Sequence, residues 1–342
     1  MVRRSLVVGI LCSAFFSLGA EISVTSASVD LSSVQIQQAI GKLDAGLDKV
    51  FFGVASLAGP GIVNAAAFSS TIGIQRQAAE LPALQIEPSV GILVPQKQSG
   101  DEKLTSLPLY AVSLVGGFKL NDKNAIQVRA FYLPEISFKQ SGTSFSVQPF
   151  NLGLTLTRQV KKNGEAWYSP AIITPIDIAY MHGRLNASFS KRLDNIEFDP
   201  DGDGIEGNSA RAAFDFKDDF QLTWDVYSFT TGLILVKPFL WIFNARLGFL
   251  SSLHTGVANL TNTATGNFLV TGSAVAGTNV FEVNDTALVT FKNTAKFRPL
   301  LVSSQVTAGL GIQIGAATLN LDITQNIQVN ATAITLQLGC WF

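Results

Sequence analysis

The sequence has 342 residues, 47% hydrophobic and only 14% charged, with 24 Lys+Arg against 25 Asp+Glu and a formal net charge of −1. A soluble surface needs about 25% charged residues, so the composition argues against a soluble globular protein. It contains no basic block, so nothing suggests a nucleic-acid footprint and no nucleic-acid partner is expected.

The first residues read as an export signal. Arg3 and Arg4 form a positive n-region, Leu6 to Phe16 an apolar core, and Ser17-Leu18-Gly19-Ala20 a small-residue cleavage site, giving a signal peptide over 1–20. The apolar run is shorter than the roughly 20 residues of a membrane-spanning helix. Cleavage would leave Cys340 as the sole cysteine, so no intramolecular disulfide is expected.

Residues 21–80 carry a helical signal. Ile36, Ile40, Leu43, Leu47, Val50 and Val54 recur at spacings of three and four, predicting an amphipathic helix over about 31–54 with Asp30 as its N-cap. Gly59-Pro60-Gly61 is expected to break the chain after it. One apolar stripe suits a hatch plugging a barrel lumen, the favoured reading, or a lid packed outside the barrel end.

From residue 81 to residue 342 the period falls to two. Ile334, Leu336, Leu338, Cys340 and Phe342 share one face, opposite Ala333, Thr335, Gln337, Gly339 and Trp341. Leu319, Leu321 and Ile323 likewise oppose Thr318, Asn320, Asp322 and Thr324, and Val306, Ala308, Leu310, Ile312 and Ile314 oppose Gln305, Thr307, Gly309, Gly311 and Gln313. A soluble sandwich would expose long charged side chains instead. This alternation predicts an all-β fold: a closed antiparallel transmembrane β-barrel of 12–14 strands, 14 preferred, whose apolar face meets lipid. Further strands are predicted at 84–94, 109–120, 125–138, 147–160, 171–188, 211–224, 225–237 and 241–253, with two or three more between 255 and 297. Lys237-Pro238 is expected to form a turn. Aromatic residues near strand ends (Tyr110, Phe118, Phe131, Tyr132, Trp224, Tyr227, Trp241 and Phe249) are expected to form interfacial girdles.

Three groups of residues carry possible chemistry. Asp199, Asp201, Asp203 and Glu206 alternate through a turn-rich loop and are candidate calcium ligands in an extracellular loop. The EF-hand position for a terminal Glu holds Ala210, however, and a plain solvated loop has the same composition. Lumen-facing Arg246, Asn244, Lys119 and Arg129 are candidates for binding a fatty carboxylate through charge-assisted hydrogen bonds. Ion pairs with Asp322 or Asp177 account for them equally well. His182 and His254 lie at no metal-ligand spacing and no GxSxG elbow is present, so no enzymatic activity and no other cofactor are expected.

The chain ends on Phe342 with apolar residues at alternate positions before it. This resembles the C-terminal signal of outer-membrane barrels, which implies the barrel assembly machinery as a partner. The layout as a whole resembles the FadL-type long-chain fatty acid transporters, in which an N-terminal hatch fills a 14-stranded barrel and carries an Asn-Pro-Ala motif. Asn64-Ala65-Ala66 matches that motif without its proline, and the chain is short for the family. The resemblance implies Asn64 and Ala66 as hatch residues. It also implies a place in the bacterial outer membrane among its lipids, and uptake of a hydrophobic small molecule such as a long-chain fatty acid. A general diffusion porin and a structural or adhesive surface protein are the alternatives.

Overall fold

A computed structural model describes residues 25–27, 59–74, 81–95, 109–140, 143–166, 168–198, 210–273 and 286–342. The expected signal peptide, the helix over 31–54 and the acidic loop with Asp199, Asp201, Asp203 and Glu206 lie outside them.

Alternating apolar and polar residues build thirteen antiparallel strands: β1 (Thr25–Ala27), β2 (Leu84–Pro95), β3 (Leu109–Asn121), β4 (Asn124–Tyr132), β5 (Ile136–Gln140), β6 (Thr143–Lys161), β7 (Ala171–Phe198), β8 (Ala210–Phe239), β9 (Phe243–Ser273), β10 (Thr286–Phe297), β11 (Val302–Ile314), β12 (Ala317–Asn326) and β13 (Ala331–Trp341). Among the described residues the number of segments falls within the expected twelve to fourteen, but the number of strands around the ring does not. Proline interrupts two staves: Pro134 separates β4 from β5, which both pair with β6, and Pro299 separates β10 from β11, which both pair with β9. A proline donates no ladder hydrogen bond. The twelve strands β2–β13 therefore form ten staves. Their pairing runs in a barrel-like ring, because β13 returns to β2 with Leu336 opposite Val90. Phe342 extends that seam, its N–H and carbonyl exchanging hydrogen bonds with Leu84 at 2.9 and 3.0 Å.

The staves differ greatly in length. β12 and β13 have 10 and 11 residues, the length that crosses a membrane. β7, β8 and β9 have 28, 30 and 31, and 30 residues reach ~100 Å at ~3.3 Å per residue. These long staves stand as a wall on one side, beyond the end opposite the short turns. Short turns mark the periplasmic end of such barrels, so the wall is extracellular. The segments predicted at 211–224 and 225–237 are one strand, β8, because strands were expected to stop at bilayer thickness. The turn is not at Lys237-Pro238 either, because both residues stay in the ladder, opposite Ala245 and Asn244. It lies at Leu240-Trp241, whose positive φ angles of 48° and 62° close the β8–β9 hairpin.

Leu84, Ile86, Val90, Leu114, Leu154, Ile178, Phe229, Leu233, Leu247, Phe249, Val306, Leu310, Leu321, Ile323, Leu336 and Leu338 are all exposed on the outer face. Their strand neighbours, among them Gln85, Ser113, Asp177, Thr230, Asn320 and Thr335, are buried inside. So large an exposed apolar surface is incompatible with water but suits acyl chains. This belt makes the ring a membrane-spanning barrel of the outer-membrane type. Tyr132, Tyr227, Phe118, Phe249 and Trp241 are exposed as a girdle requires. Trp224 departs from that expectation: it sits on the inward-facing set of β8 and is buried in the lumen.

Candidate functional site: the plugged lumen

Residues 59–71 form a helix, α1, inside the ring. Gly59-Pro60-Gly61 belongs to it instead of breaking the chain. Proline's fixed φ is compatible with a helix, and in a first turn its missing N–H costs little. Val63, Ala65, Ala66, Ala67, Phe68, Ser69, Ser70 and Thr71 are all buried. A helix with buried residues on every side must be surrounded, and the ring surrounds this one. Val63, Ala66 and Ala67 pack with Trp224, Val226, Leu260 and Phe297 on the tall side. Ala65 and Phe68, with Ile72 just beyond the helix, pack with Leu93, Ala331 and Ala333 on the short side. Ile74 reaches Ile173, Val236 and Leu250 nearer the periplasmic end. The large Trp224 ring fits because Gly183 has no side chain where the indole lies.

Polar bonds fasten the C-terminal turn of α1. Arg129 Nη2 donates to the Ser70 carbonyl at 3.1 Å and to Asp177 Oδ2 at 3.0 Å, and Thr155 Oγ1 donates to Asp177 Oδ1 at 2.6 Å. The last carbonyls of a helix lack intrahelical partners and carry partial negative charge. The guanidinium therefore satisfies both the helix end and the carboxylate. Ser70 Oγ also lies 2.7 Å from Ser228 Oγ, which lies 2.7 Å from His254 Nδ1. His254 Nε2 in turn lies 2.8 Å from Ser303 Oγ. Gln305 Nε2 donates to Thr71 Oγ1 at 2.8 Å. The plug is thus tied to β4, β8 and β11.

A second buried polar group joins β9 to the short side of the ring. Arg246 Nε donates to Asp322 Oδ1 at 3.1 Å and Nη1 to Asn320 Oδ1 at 2.8 Å, while Gln337 Nε2 donates to Asp322 Oδ2 at 2.7 Å. Gly309 and Gly311 stand opposite on β11, where a Cβ would collide with Asp322 and Asn320 respectively. Beside it Trp341 Nε1 donates to Glu87, and Gln127 to Gln85 at 2.8 Å.

The predicted carboxylate-binding residues are therefore not gathered into one site. Arg246 and Arg129 are both buried, each paired with an aspartate. Lys119 faces Asp122 at 2.8 Å in the exposed β3–β4 turn. Asn244 is buried near the periplasmic mouth. Two hatch expectations fall on the plug itself: Ala66 packs against the wall, and Asn64 Oδ1 accepts from the Leu300 N–H at 2.8 Å. His182 faces outward and contacts Asp225 at 2.8 Å. Sequence reasoning missed Ser70, Ser228, Ser303, Gln305 and Trp224. For the four strand residues the one signal was membership of the inward-facing set, which does not say which rung meets the plug; Ser70 lies on the helix and carried no such signal.

Among the described residues, two cavities adjoin the plugged lumen. A narrow one of about 10 Å³ is lined by Ser69, Ile72, Ser113, Asn151 and Met181. Ser69 Oγ and Asn151 Oδ1 make no hydrogen bond there, and the space is the size of one water. At the periplasmic mouth a cavity of about 510 Å³ is lined by Leu81, Pro82, Pro238, Trp241, Trp341 and Phe342, with Asn244 and Gln313.

No family model matches the chain. No curated protein matches it either. Among solved structures its neighbours include FadL-type outer-membrane transporters. The Ralstonia pickettii toluene transporter TbuX is 9% identical, with 82% of this chain and 94% of that one covered and a TM-score of 0.27. A Pseudomonas aeruginosa FadL homologue is 8% identical over 82% and 94%, at 0.26. The translocator domain of the autotransporter NalP from Neisseria meningitidis is 9% identical over 84% and 98%, at 0.33. Scores this low carry no argument about this chain, and the membrane assignment rests on its own apolar belt.

Proposed function

We propose that this protein is a closed, plugged barrel of the bacterial outer membrane that takes up hydrophobic small molecules, long-chain fatty acids among them, without making or breaking a chemical bond. The observation that carries this reading is α1, buried inside the ring yet held at its C-terminal turn by exchangeable polar bonds. A helix held in this way can shift without breaking the wall. The mouth below it joins Trp241, Trp341, Phe342 and Leu81 to Asn163, Asn244 and Gln313, a mixed lining that suits an amphipathic ligand such as a fatty acid leaving towards the periplasm. Arg129 serves as a latch on the plug, whereas Arg246 braces the wall, so neither is assigned to the ligand.

The filled lumen disfavours a general diffusion porin. The extracellular wall favours one second reading, a surface protein that presents β7–β10 to a partner. Planar-bilayer recording combined with labelled fatty-acid uptake tests the proposal. The intact protein should be nearly silent and should support uptake, and deletion of residues 21–80 should give steady conductance. Steady conductance from the intact protein, or unchanged uptake in cells lacking it, would overturn the transport reading.

A further inference from the structure

The outer face of the wall changes character within one rung. Leu154–Ile178–Phe229–Leu253 is apolar, and Leu152–Tyr180–Tyr227 above it closes the belt, with the tyrosine rings 4.8 Å apart. Beyond the His182–Asp225 rung come three rungs of hydrogen-bonding side chains on the same face. They are Gln148–Arg184–Thr223–Asn259, then Ser137–Ser146–Asn186–Gln221–Thr261, then Lys139–Ser144–Ser188–Asp219–Thr263. A groove of about 420 Å³ is lined by side chains of these rungs, with Glu135 at the edge and Phe145, Ala187 and Phe220 supplying an apolar floor between them.

The groove is partly organised. Asn186 Nδ2 donates to Ser146 Oγ at 3.1 Å, and Arg184 Nε donates to Asn186 Oδ1 at 3.2 Å. Lys217 Nζ lies 2.9 Å from Asp219. Burial pushes Asp219 up, but hydrogen bonds from Lys217 and Ser188 outweigh it and hold the carboxyl below its usual range. With Asp219 neutralised by Lys217, the cations on the groove are Lys139 and Arg184.

We infer that this groove binds the multi-sugar, phosphate-bearing headgroup of a glycolipid in the outer leaflet. Amides and hydroxyls that both donate and accept match sugar hydroxyls, and Arg184 and Lys139 match phosphate. Height decides between lipid classes. The three rungs lie four to eight residues beyond Tyr180, ~13–26 Å along the strand, or roughly 10–20 Å above the belt for strands tilted about 40°. A phospholipid interface extends only about 5–8 Å per side, so a phospholipid headgroup stops below the groove. A glycolipid with several sugar units reaches it while its acyl chains lie on Leu154, Ile178 and Phe229. The inference rests on the membrane address proposed above, but not on transport.

The test uses the full protein in nanodiscs of three compositions: a phosphorylated glycolipid with an oligosaccharide headgroup, the same lipid trimmed to its anchoring disaccharide, and phosphatidylglycerol alone. Native mass spectrometry counts the lipids retained. The wild type should retain the long-headgroup lipid at least about tenfold over either other lipid, and the triple variant Lys139→Ala, Arg184→Ala, Gln221→Ala should lose that preference. Equal retention of all three lipids, or a variant as selective as the wild type, would overturn the inference while leaving the barrel intact. Failure of the wild type to insert into any nanodisc would overturn the membrane reading and this inference with it.

Discussion

The short and tall sides of the ring follow one alternation but answer to different surroundings. On β11, β12 and β13 the strand is about as long as the membrane is thick, and its outer face stays apolar until Ser304, Gln325 and Thr332 at the extracellular end. On β7, β8 and β9 the inner face continues unchanged, while the outer face turns from Ile178 and Phe229 to Arg184, Asn186 and Gln221 once the strand leaves the belt. Each side also contributes a buried aspartate to an ion pair with a buried arginine. Arg129, paired with Asp177 of the tall side, touches the plug; Arg246, paired with Asp322 of the short side, bonds to wall residues. Sidedness is thus a property of each rung's surroundings, and two chemically alike ion pairs have different mechanical roles.

The sharpest way to break this comparison is to remove each aspartate. Asp177→Ala and Asp322→Ala should each lower stability by about 3–5 kcal/mol, because each strands a buried guanidinium; urea unfolding in micelles measures this. Only Asp177→Ala should also raise bilayer conductance, since of the two arginines only Arg129 bonds to α1. Equal conductance from the two variants would remove the distinction between latch and brace. Trp224→Ala comes next. It should cost about 3–5 kcal/mol through the cavity left between plug and tall wall, and should increase hydrogen exchange of the α1 amides measured by mass spectrometry.

A smaller effect tests the outer faces. Leu321→Arg, on the belt of the short side, should cost about 2–4 kcal/mol in vesicle refolding. Thr261→Arg, on the tall side above the tyrosine rung, should change stability by no more than about 0.5 kcal/mol. A matching penalty at both sites would mean that the membrane extends up the wall.

Much of the short side was legible in the sequence, because Leu319, Leu321 and Ile323 against Thr318, Asn320 and Asp322 need only a period of two to be assigned to lipid or lumen. The ion pairs were half legible: Asp322 and Asp177 stood out as acids on mostly uncharged faces, but pairing depends on register, which alternation alone leaves open. Gly309 and Gly311 read as small lumen residues, and their role in clearing space for Asp322 and Asn320 emerges only across strands. The plug was misread locally. Gly59-Pro60-Gly61 has the composition of a breaker, and α1 is fixed by the wall around it more than by propensity. The tall wall was illegible in length, since a strand that continues into water keeps the same period on its inner face.

The most direct measurement places nitroxide labels one at a time at residues 319–324 of β12, in a Cys340→Ser background reconstituted into lipid vesicles. Collision with lipid-soluble oxygen should peak at 319, 321 and 323 and fall at 320, 322 and 324. Equal oxygen access along all six positions, or maxima at the even ones, would contradict a barrel whose apolar face meets acyl chains and whose polar face is buried within.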